Sequence, residues 1–480
     1  MEHATTTTTP LLEFTPPSKK ASKLQTLGNI IVSVVGTGVL GLPFAFRVAG
    51  WVAGSLGSEE SICTHDFIRE DNKLTVVFWL ILWSKDYLDD SITKRTETKK
   101  KLNFRRGPKN IDLILLRTSS VPFVFASSDG WLSNEKVRCK EKLASEEPLV
   151  ESRTYGDLGN RCFGTPGRYL AELLISVALC GGSVAYLVFI GQNLHSVFQS
   201  DGLSLASYIF MLVPVEIGLS WIGSLSALAP FSIFADICNA LAMGIVVKED
   251  IGKALVSGFS FEERTTITSN IGGLPFAAGM AVFCFEGIGM TLALENSMQD
   301  RAKFPKLLAQ TFGGITFVYI LFGFCGYIAF GEETRDIVTL NLPRNWSSIA
   351  VQVGLCLGLA FTFPVMIHPF NEIMEGKFNF VDMGNNNEPT RMRKISIYMS
   401  RAVVVVVLAI LASFVPEFGV FASFVGSTIC AVISFVLPAT FHIKLFGSSL
   451  SIWEKFLDSF VLLCGLFFAV YGTYNTIVGV

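Results

Sequence analysis

The sequence predicts an all-α protein that crosses a lipid bilayer many times. Half of its residues are hydrophobic, only 16% are charged, and its mean hydropathy is +0.50, whereas soluble proteins carry about 25% charged residues. Apolar runs of helical length recur along most of the chain, and two of these runs are interrupted by glycine and proline. The net charge of −2 gives no reason to expect a nucleic-acid partner.

The order of apolar runs predicts ten membrane spans. Residues 1–24 form a polar, threonine-rich segment, predicted to be a disordered cytosolic tail without a cleavable signal. The first, interrupted transmembrane helix falls in 25–57, with its span at roughly 25–46. The other runs reach or approach the ~20 residues that a spanning helix needs. They cover roughly 169–192, 203–222, 225–247, 271–295, 307–330, 347–370, 395–415, 418–442 and 453–477.

Residues 58–138 break this pattern and are predicted to be an atypical insert in place of a second helix. The apolar run Leu74–Trp83 is about half the length of a span, and the run Leu113–Ala126 contains Arg117 and Pro122. A central Arg or Lys costs on the order of 3 kcal/mol in a membrane helix, so neither run inserts well alone. A solvated loop is one interpretation of the insert. A retained intron or a faulty gene model is another.

The charges of the loops predict the orientation. Basic residues concentrate in the tail, in the loop 139–168 and in the links 299–306 and 375–394, which places these segments in the cytosol. The link 248–270 is the exception, because it lies opposite the cytosol and yet contains basic side chains. These are Lys248, Lys253 and Arg264. The sequon at Asn345 falls on the non-cytosolic side, where it is a candidate for glycosylation.

The first interrupted span carries Gly36, Gly38, Gly41 and Pro43 near its middle. Glycine weakens a helix and proline removes a backbone donor, so free N–H and C=O groups are expected near the centre of the membrane. Lipid cannot satisfy such groups, and interrupted spans therefore favour a binding site. A kinked packing helix with glycines at a close helix contact is the alternative.

The second interrupted span covers 271–295 and places Glu286 beside Gly287 and Gly289. With a crossing restored near residue 60, it follows the first interrupted span by five positions, as in a five-plus-five inverted repeat with broken first and sixth helices. The segments Gly41–Ala45 and Gly273–Ala277 share the sequence Gly-Leu-Pro-Phe-Ala. Aligning these two segments does not superpose the two breaks, and we therefore interpret the repeated sequence as a coincidence.

Cysteine and histidine patterns argue against an enzyme. The ten cysteines are scattered without a Cys-x-x-Cys pair, and most lie in apolar runs, where they act as small core residues. The predicted spans contain neither a metal-ligand cluster nor a Ser/His/Asp grouping. We therefore expect neither a catalytic residue nor a metal site.

Four motifs together resemble the amino acid/auxin permease family, and within it the plant vacuolar amino acid transporters, which are related to proton-coupled amino acid transporters. These motifs are Gly36–Pro43, Tyr155–Leu158, Cys284–Gly287 and Phe361–Pro364. The resemblance covers about 1–57 and 139–480, with a transporter core in 169–480. It implies a LeuT-like fold with one extra helix, a cytosolic N-terminus, no cofactor and a proton gradient as the driving force. Here the second helix is disrupted or replaced by the insert.

The same resemblance implies an amino acid site, and the absence of an obvious fixed charge for a substrate side chain favours small neutral amino acids. Backbone N–H groups at Gly36, Thr37, Gly38 and Val39 would bind the substrate carboxylate, at the positive end of the following half-helix. The α-ammonium group would meet the second break, and Tyr186 and Thr362 are further candidates for substrate contact. The second break contributes Phe285, Glu286 and Gly287. Ordinary aromatic packing is the alternative role for Phe285.

Proton coupling requires a titratable group, and the candidates are Glu286, Asp236 and Glu216. Asp236 beside Asn239 could equally form a polar pair between helices, and Glu216 is expected near a membrane edge in a structural role. A nutrient-sensing receptor on the same fold is the alternative function. A product inactivated by the insert is another.

Overall fold

The structure is a computed structural model of the whole chain. It describes residues 22–51, 155–198, 202–222, 225–256, 264–265, 268, 272–285, 298, 303–377, 391–447, 450 and 452–478. The insert 58–138 and nearly all of the tail 1–24 lie outside the described residues, so both interpretations stay predictions.

The regular elements of the described residues are helical. The α-helices are α1 (Lys23–Val34), α2 (Leu42–Ala49), α3 (Tyr155–Phe198), α4 (Leu205–Ser220), α5 (Leu225–Val256), α6 (Gly273–Cys284), α7 (Phe304–Phe330), α8 (Trp346–Lys377), α9 (Arg391–Ser413), α10 (Phe418–Val425), α11 (Leu437–Phe446) and α12 (Ile452–Val478). Short 3₁₀ helices cover Thr37–Gly41, Gly331–Glu333 and Val338–Asn341. Two π-helical segments, Gly426–Cys430 and Val432–Val436, join α10 to α11.

Six helices among the described residues are long and apolar enough to cross a membrane. These stretches are Tyr155–Phe198, Lys306–Glu333, Trp346–Glu375, Ile395–Ser413, Phe418–Phe446 and Lys455–Val478. Three shorter apolar helical stretches, Thr37–Ala49, Leu205–Ser220 and Gly273–Cys284, fall on other predicted spans. Helix α5 (Leu225–Val256) covers the remaining predicted span, so helices occur in all ten.

The prediction of a loop up to residue 168 was wrong, because α3 begins at Tyr155. The segment is polar and was missed by a search for apolar runs. A kink at Gly164 (φ 68°, ψ −157°) separates it from the rest of α3, and Pro166 follows in the next turn. Glycine adopts such a positive φ readily, and proline restricts the residue before it, so this pair of residues redirects the chain.

The two copies of the Gly-Leu-Pro-Phe-Ala sequence have the same local role, and the interpretation of their repetition as a coincidence stays a prediction. Each copy begins a helix, since α2 starts at Leu42 and α6 at Gly273, with the proline in the first turn. A proline is tolerated there because the first N–H groups of a helix have no partner within the helix. The rings of Phe44 and Phe276 pack edge to face with centroids 5.8 Å apart. The repeated segment thus starts two helices that contact each other.

The chain divides into two compact units. One contains Glu172–Ile245 and Leu342–Phe418, and the other contains Ala21–Ala171, Val246–Asn341 and Gly419–Val480. In the first unit, a β-carbon at Gly358 of α8 would lie 3.2 Å from the Cα of Ala235 in α5, so these two helices approach closely. Both interrupted spans belong to the second unit, which therefore contains the candidate site described next.

Candidate functional site

The first interrupted span breaks at the predicted glycines. Helix α1 ends at Val34, Gly36 is extended (φ −110°, ψ −166°), and the buried segment Thr37–Gly41 forms a 3₁₀ helix that leads into α2. The first N–H groups of a helical segment have no acceptor within it. The break therefore directs backbone donors and the positive end of a helix into a buried region.

The second predicted interrupted span contains α6, which ends beside the predicted break. Helix α6 ends at Cys284, and the N–H of Phe285 donates to the carbonyls of Ala281 and Val282. The first break meets the end of α6, because a β-carbon at Gly38 would lie 2.9 Å from the Sγ of Cys284 and 3.0 Å from its Cα. Only glycine permits this approach. The structure thus brings the first break against the carboxyl end of α6.

Tyr319 of α7 is a site residue that the sequence analysis missed. Its hydroxyl donates to the carbonyl of Val34 over 3.1 Å, at the end of α1 where carbonyls lose their helical partners. Its ring lies 5.1 Å from the ring of Phe285, which also stacks on Phe312 at 6.2 Å. Helix α7 therefore supports both breaks. The only signal in the sequence was a tyrosine in an apolar span, whose hydroxyl needs a partner.

Thr37 contributes a polar group for which the described residues offer no partner. Its side chain is 1% exposed, and its hydroxyl has no hydrogen-bond partner within the described part of the chain. An unsatisfied buried polar group costs about 1–3 kcal/mol. A polar ligand or a water molecule at the break would satisfy this hydroxyl.

Ser423 of α10 fixes α6 from the other side and was also missed. Its hydroxyl donates to the carbonyl of Phe276 over 2.9 Å. A β-carbon at Gly279 would lie 2.6 Å from the carbonyl oxygen of Ser423, so α6 and α10 touch through their backbones. The π-helical segments begin at Gly426, three residues further along the chain. Such irregular turns occur frequently at functional sites.

Several predicted site residues remain untested. Glu286 and Gly287 lie outside the described residues, and Asp236 lies in α5 but its side chain is not described. Tyr186 is buried, and the hydroxyl of Thr362 donates to the carbonyl of Gly358. Both belong to the other unit, so their roles stay predictions.

Glu216 of α4 is fully buried. Its side chain is 0% exposed, and neither carboxylate oxygen has a hydrogen-bond partner among the described residues. This burial is compatible with the expected structural role, and the expected position near a membrane edge stays a prediction.

The remaining predictions concern modification and metals. The side-chain oxygen of Asn345 accepts hydrogen bonds from the Ser347 hydroxyl and the Ser348 N–H, so this exposed residue caps the start of α8. Glycosylation at Asn345 stays a prediction. The eight cysteines in the described part of the chain are free, and the His, Cys, Asp and Glu side chains described there form no group that could hold a metal ion.

Comparison with known proteins decides the family. The model of the family "Transmembrane amino acid transporter protein" matches residues 19–58 and 131–478. The chain belongs to this family. It is therefore a multi-pass membrane transporter rather than an enzyme, and the helices of its described residues agree with the predicted all-α class.

Three relatives of this transporter carry the words "amino acid transporter" in their names. The amino acid transporter ANT1 of Arabidopsis thaliana is 54% identical over 98% of this chain and 96% of its own length. The proton-coupled amino acid transporter-like protein pathetic of Drosophila melanogaster is 25% identical over 94% of this chain and 84% of its own. Vacuolar amino acid transporter 3 of Saccharomyces cerevisiae is 26% identical over 71% of this chain and 50% of its own.

A solved structure is also similar to the transporter. The crystal structure of MhsT in complex with L-phenylalanine is 14% identical, with a TM-score of 0.47, over 96% of this chain and 100% of that chain.

Proposed function

We propose that this transporter moves small neutral amino acids across the vacuolar membrane, coupled to protons. The observation that supports this most directly is the meeting of the first helix break with the end of α6, at Gly38 and Cys284. Beside this contact lies the hydroxyl of Thr37, which has no hydrogen-bond partner among the described residues. This arrangement suits a small zwitterion, because the first break presents the amino end of a helix and α6 presents its carboxyl end.

The substrate carboxylate would accept hydrogen bonds from the N–H groups that begin at Thr37 and from the Thr37 hydroxyl. The α-ammonium group would donate to carbonyls at the end of α6, near Phe285, and to the carboxylate of Glu286. The aromatic rings of Phe285 and Tyr319 pack against each other at this end, which favours an uncharged side chain on the substrate. Phe285 would act as the lid.

Proton coupling requires a carboxyl group whose protonation changes during transport. Glu216 is supported by its complete burial without a hydrogen-bond partner among the described residues, and Glu286 and Asp236 remain candidates. The name of the fruit-fly relative gives independent support for protons.

The experiment is uptake of labelled alanine and proline into proteoliposomes, with and without a pH gradient. We expect uptake that is faster with the gradient and is blocked by unlabelled alanine but not by lysine or glutamate. Uptake blocked equally by lysine would contradict the neutral substrate class. Uptake indifferent to the gradient would contradict proton coupling.

The vacuolar membrane is supported by the name of the yeast relative, and a cytosolic N-terminus is supported by the basic loops. In this orientation the exposed Asn345 faces away from the cytosol. We expect a glycosidase to reduce the apparent mass of the wild-type protein and to leave Asn345→Gln unchanged. A lack of any glycan difference would remove this support for the orientation.

A further inference from the structure

Asp250 is a buried acid that the site described above does not use. It lies near the end of α5, beyond the predicted span 225–247, and its side chain is 1% exposed. Neither carboxylate oxygen has a hydrogen-bond partner in the described part of the chain. Burying an ionised carboxylate without partners is costly, so this position favours the protonated acid.

The groups around Asp250 come from two helices. On α5 itself, Glu249 and Lys253 act on its charge, and on α7 its charge reaches Cys325. The ammonium group of Lys253 lies 3.9 Å from a carboxylate oxygen of Glu333 and 4.2 Å from the ring centroid of Phe330. Asp250 therefore lies where the end of α5 contacts the end of α7.

The end of α7 is a junction that also holds the interrupted helix. The Arg47 guanidinium of α2 donates to the carbonyl of Thr334 over 2.9 Å and lies 3.6 Å from a carboxylate oxygen of Glu332. The Arg264 side chain donates twice to the carbonyl of Ile328, at the carboxyl end of α7. Thus α2, the segment after α5 and the end of α7 form one connected set of contacts.

Burial raises the pKa of the Asp250 carboxyl from its usual 3.8 to about 7, with Lys253 opposing this rise and Glu249 adding to it. In the unfolded chain the acid would titrate near its usual value. Between about pH 4 and pH 7, the folded chain therefore keeps a proton on Asp250, whereas the unfolded chain has lost it.

We propose that Asp250 is a proton-binding site, separate from the two helix breaks, through which the pH on its side of the membrane controls how firmly the end of α5 packs on the end of α7. The identity of that compartment rests on the proposed orientation, in which it is the vacuolar lumen. The protonated acid is compatible with the buried contact. Ionisation weakens the contact at the junction that holds α2.

The sign of the effect on stability follows from proton linkage. The folded state binds one more proton than the unfolded state in this range. The contribution of the Asp250 carboxyl to the free energy of unfolding therefore falls as pH rises from about 4 to about 7 and is constant above about pH 7. The test is the thermal unfolding midpoint of the purified full chain between pH 4.5 and pH 8. Asp250→Asn cannot ionise, so we expect a flatter pH dependence and a midpoint above that of the wild type at pH 8.

Two charge variants keep the test decisive if Asp250→Asn fails to fold. Lys253→Gln should extend the fall in stability to higher pH, and Glu249→Gln should end it at lower pH, because these residues act on Asp250 in opposite directions. Glu417→Gln, at an exposed acid, is the control and should behave as the wild type.

Identical pH dependence in the wild type and Asp250→Asn, or equal shifts in both charge variants, would overturn the proposal. Failure of uptake would instead affect only the proposed function.

Discussion

At the scale of single residues, the glycines of the site could be predicted and their contacts could not. A run of glycines followed by proline in an apolar span marks an interrupted helix at Gly36, Gly38 and Gly41. The hydrogen bond from Tyr319 to Val34 joins residues 285 positions apart, and the bond from Ser423 to Phe276 spans 147. Periodicity indicates which residues share a helix, but it carries no information on partners so distant.

Thr37 allows the binding role to be separated from a structural one. Thr37→Val keeps the shape of the side chain and removes a hydroxyl that has no partner among the described residues, so thermal stability should be unchanged or higher. We expect the KM for alanine to rise about five- to tenfold, as for the loss of one hydrogen bond of about 1 kcal/mol. The measurement is proteoliposome uptake over a range of alanine concentrations, with thermal unfolding of the same preparation.

A matched control is Thr440→Val. The Thr440 hydroxyl donates to the carbonyl of Val436, the last residue of the π-helical segment before α11, so its loss should leave the KM unchanged. If both variants kept the wild-type KM, the Thr37 hydroxyl would have no part in substrate binding.

At the scale of elements, apolar runs predicted the membrane helices well, and their ends were less predictable. The start of α3 at Tyr155 was missed because its first turns are polar and are separated from the apolar run by the kink at Gly164. The 271–295 span corresponds to α6, which ends at Cys284 beside the predicted break. Helix ends are set by glycine conformation and by local hydrogen bonds, which hydropathy does not measure.

At the scale of the whole molecule, composition was sufficient to predict a multi-pass membrane protein, whereas the orientation indicated by the loop charges stays a prediction. The basic residues of the 248–270 link were the exception, and the structure gives two of them local roles. Arg264 donates to the carboxyl end of α7, and Lys253 contacts Glu333 and Phe330 of the same junction. Side chains held in such contacts serve packing, and the rule for loop charges cannot distinguish them from charges that set orientation.

The central claim is that an amino acid binds where the two interrupted helices meet, and Gly38→Ala tests it most directly. The added methyl group would collide with Cys284 and separate the two breaks. The measurement is equilibrium binding of labelled alanine to the purified full chain, with Gly28→Ala as the control because a β-carbon there meets nothing within 4 Å. We predict that binding weakens at least tenfold in Gly38→Ala and is retained in Gly28→Ala. Wild-type affinity in a folded Gly38→Ala protein would contradict the account.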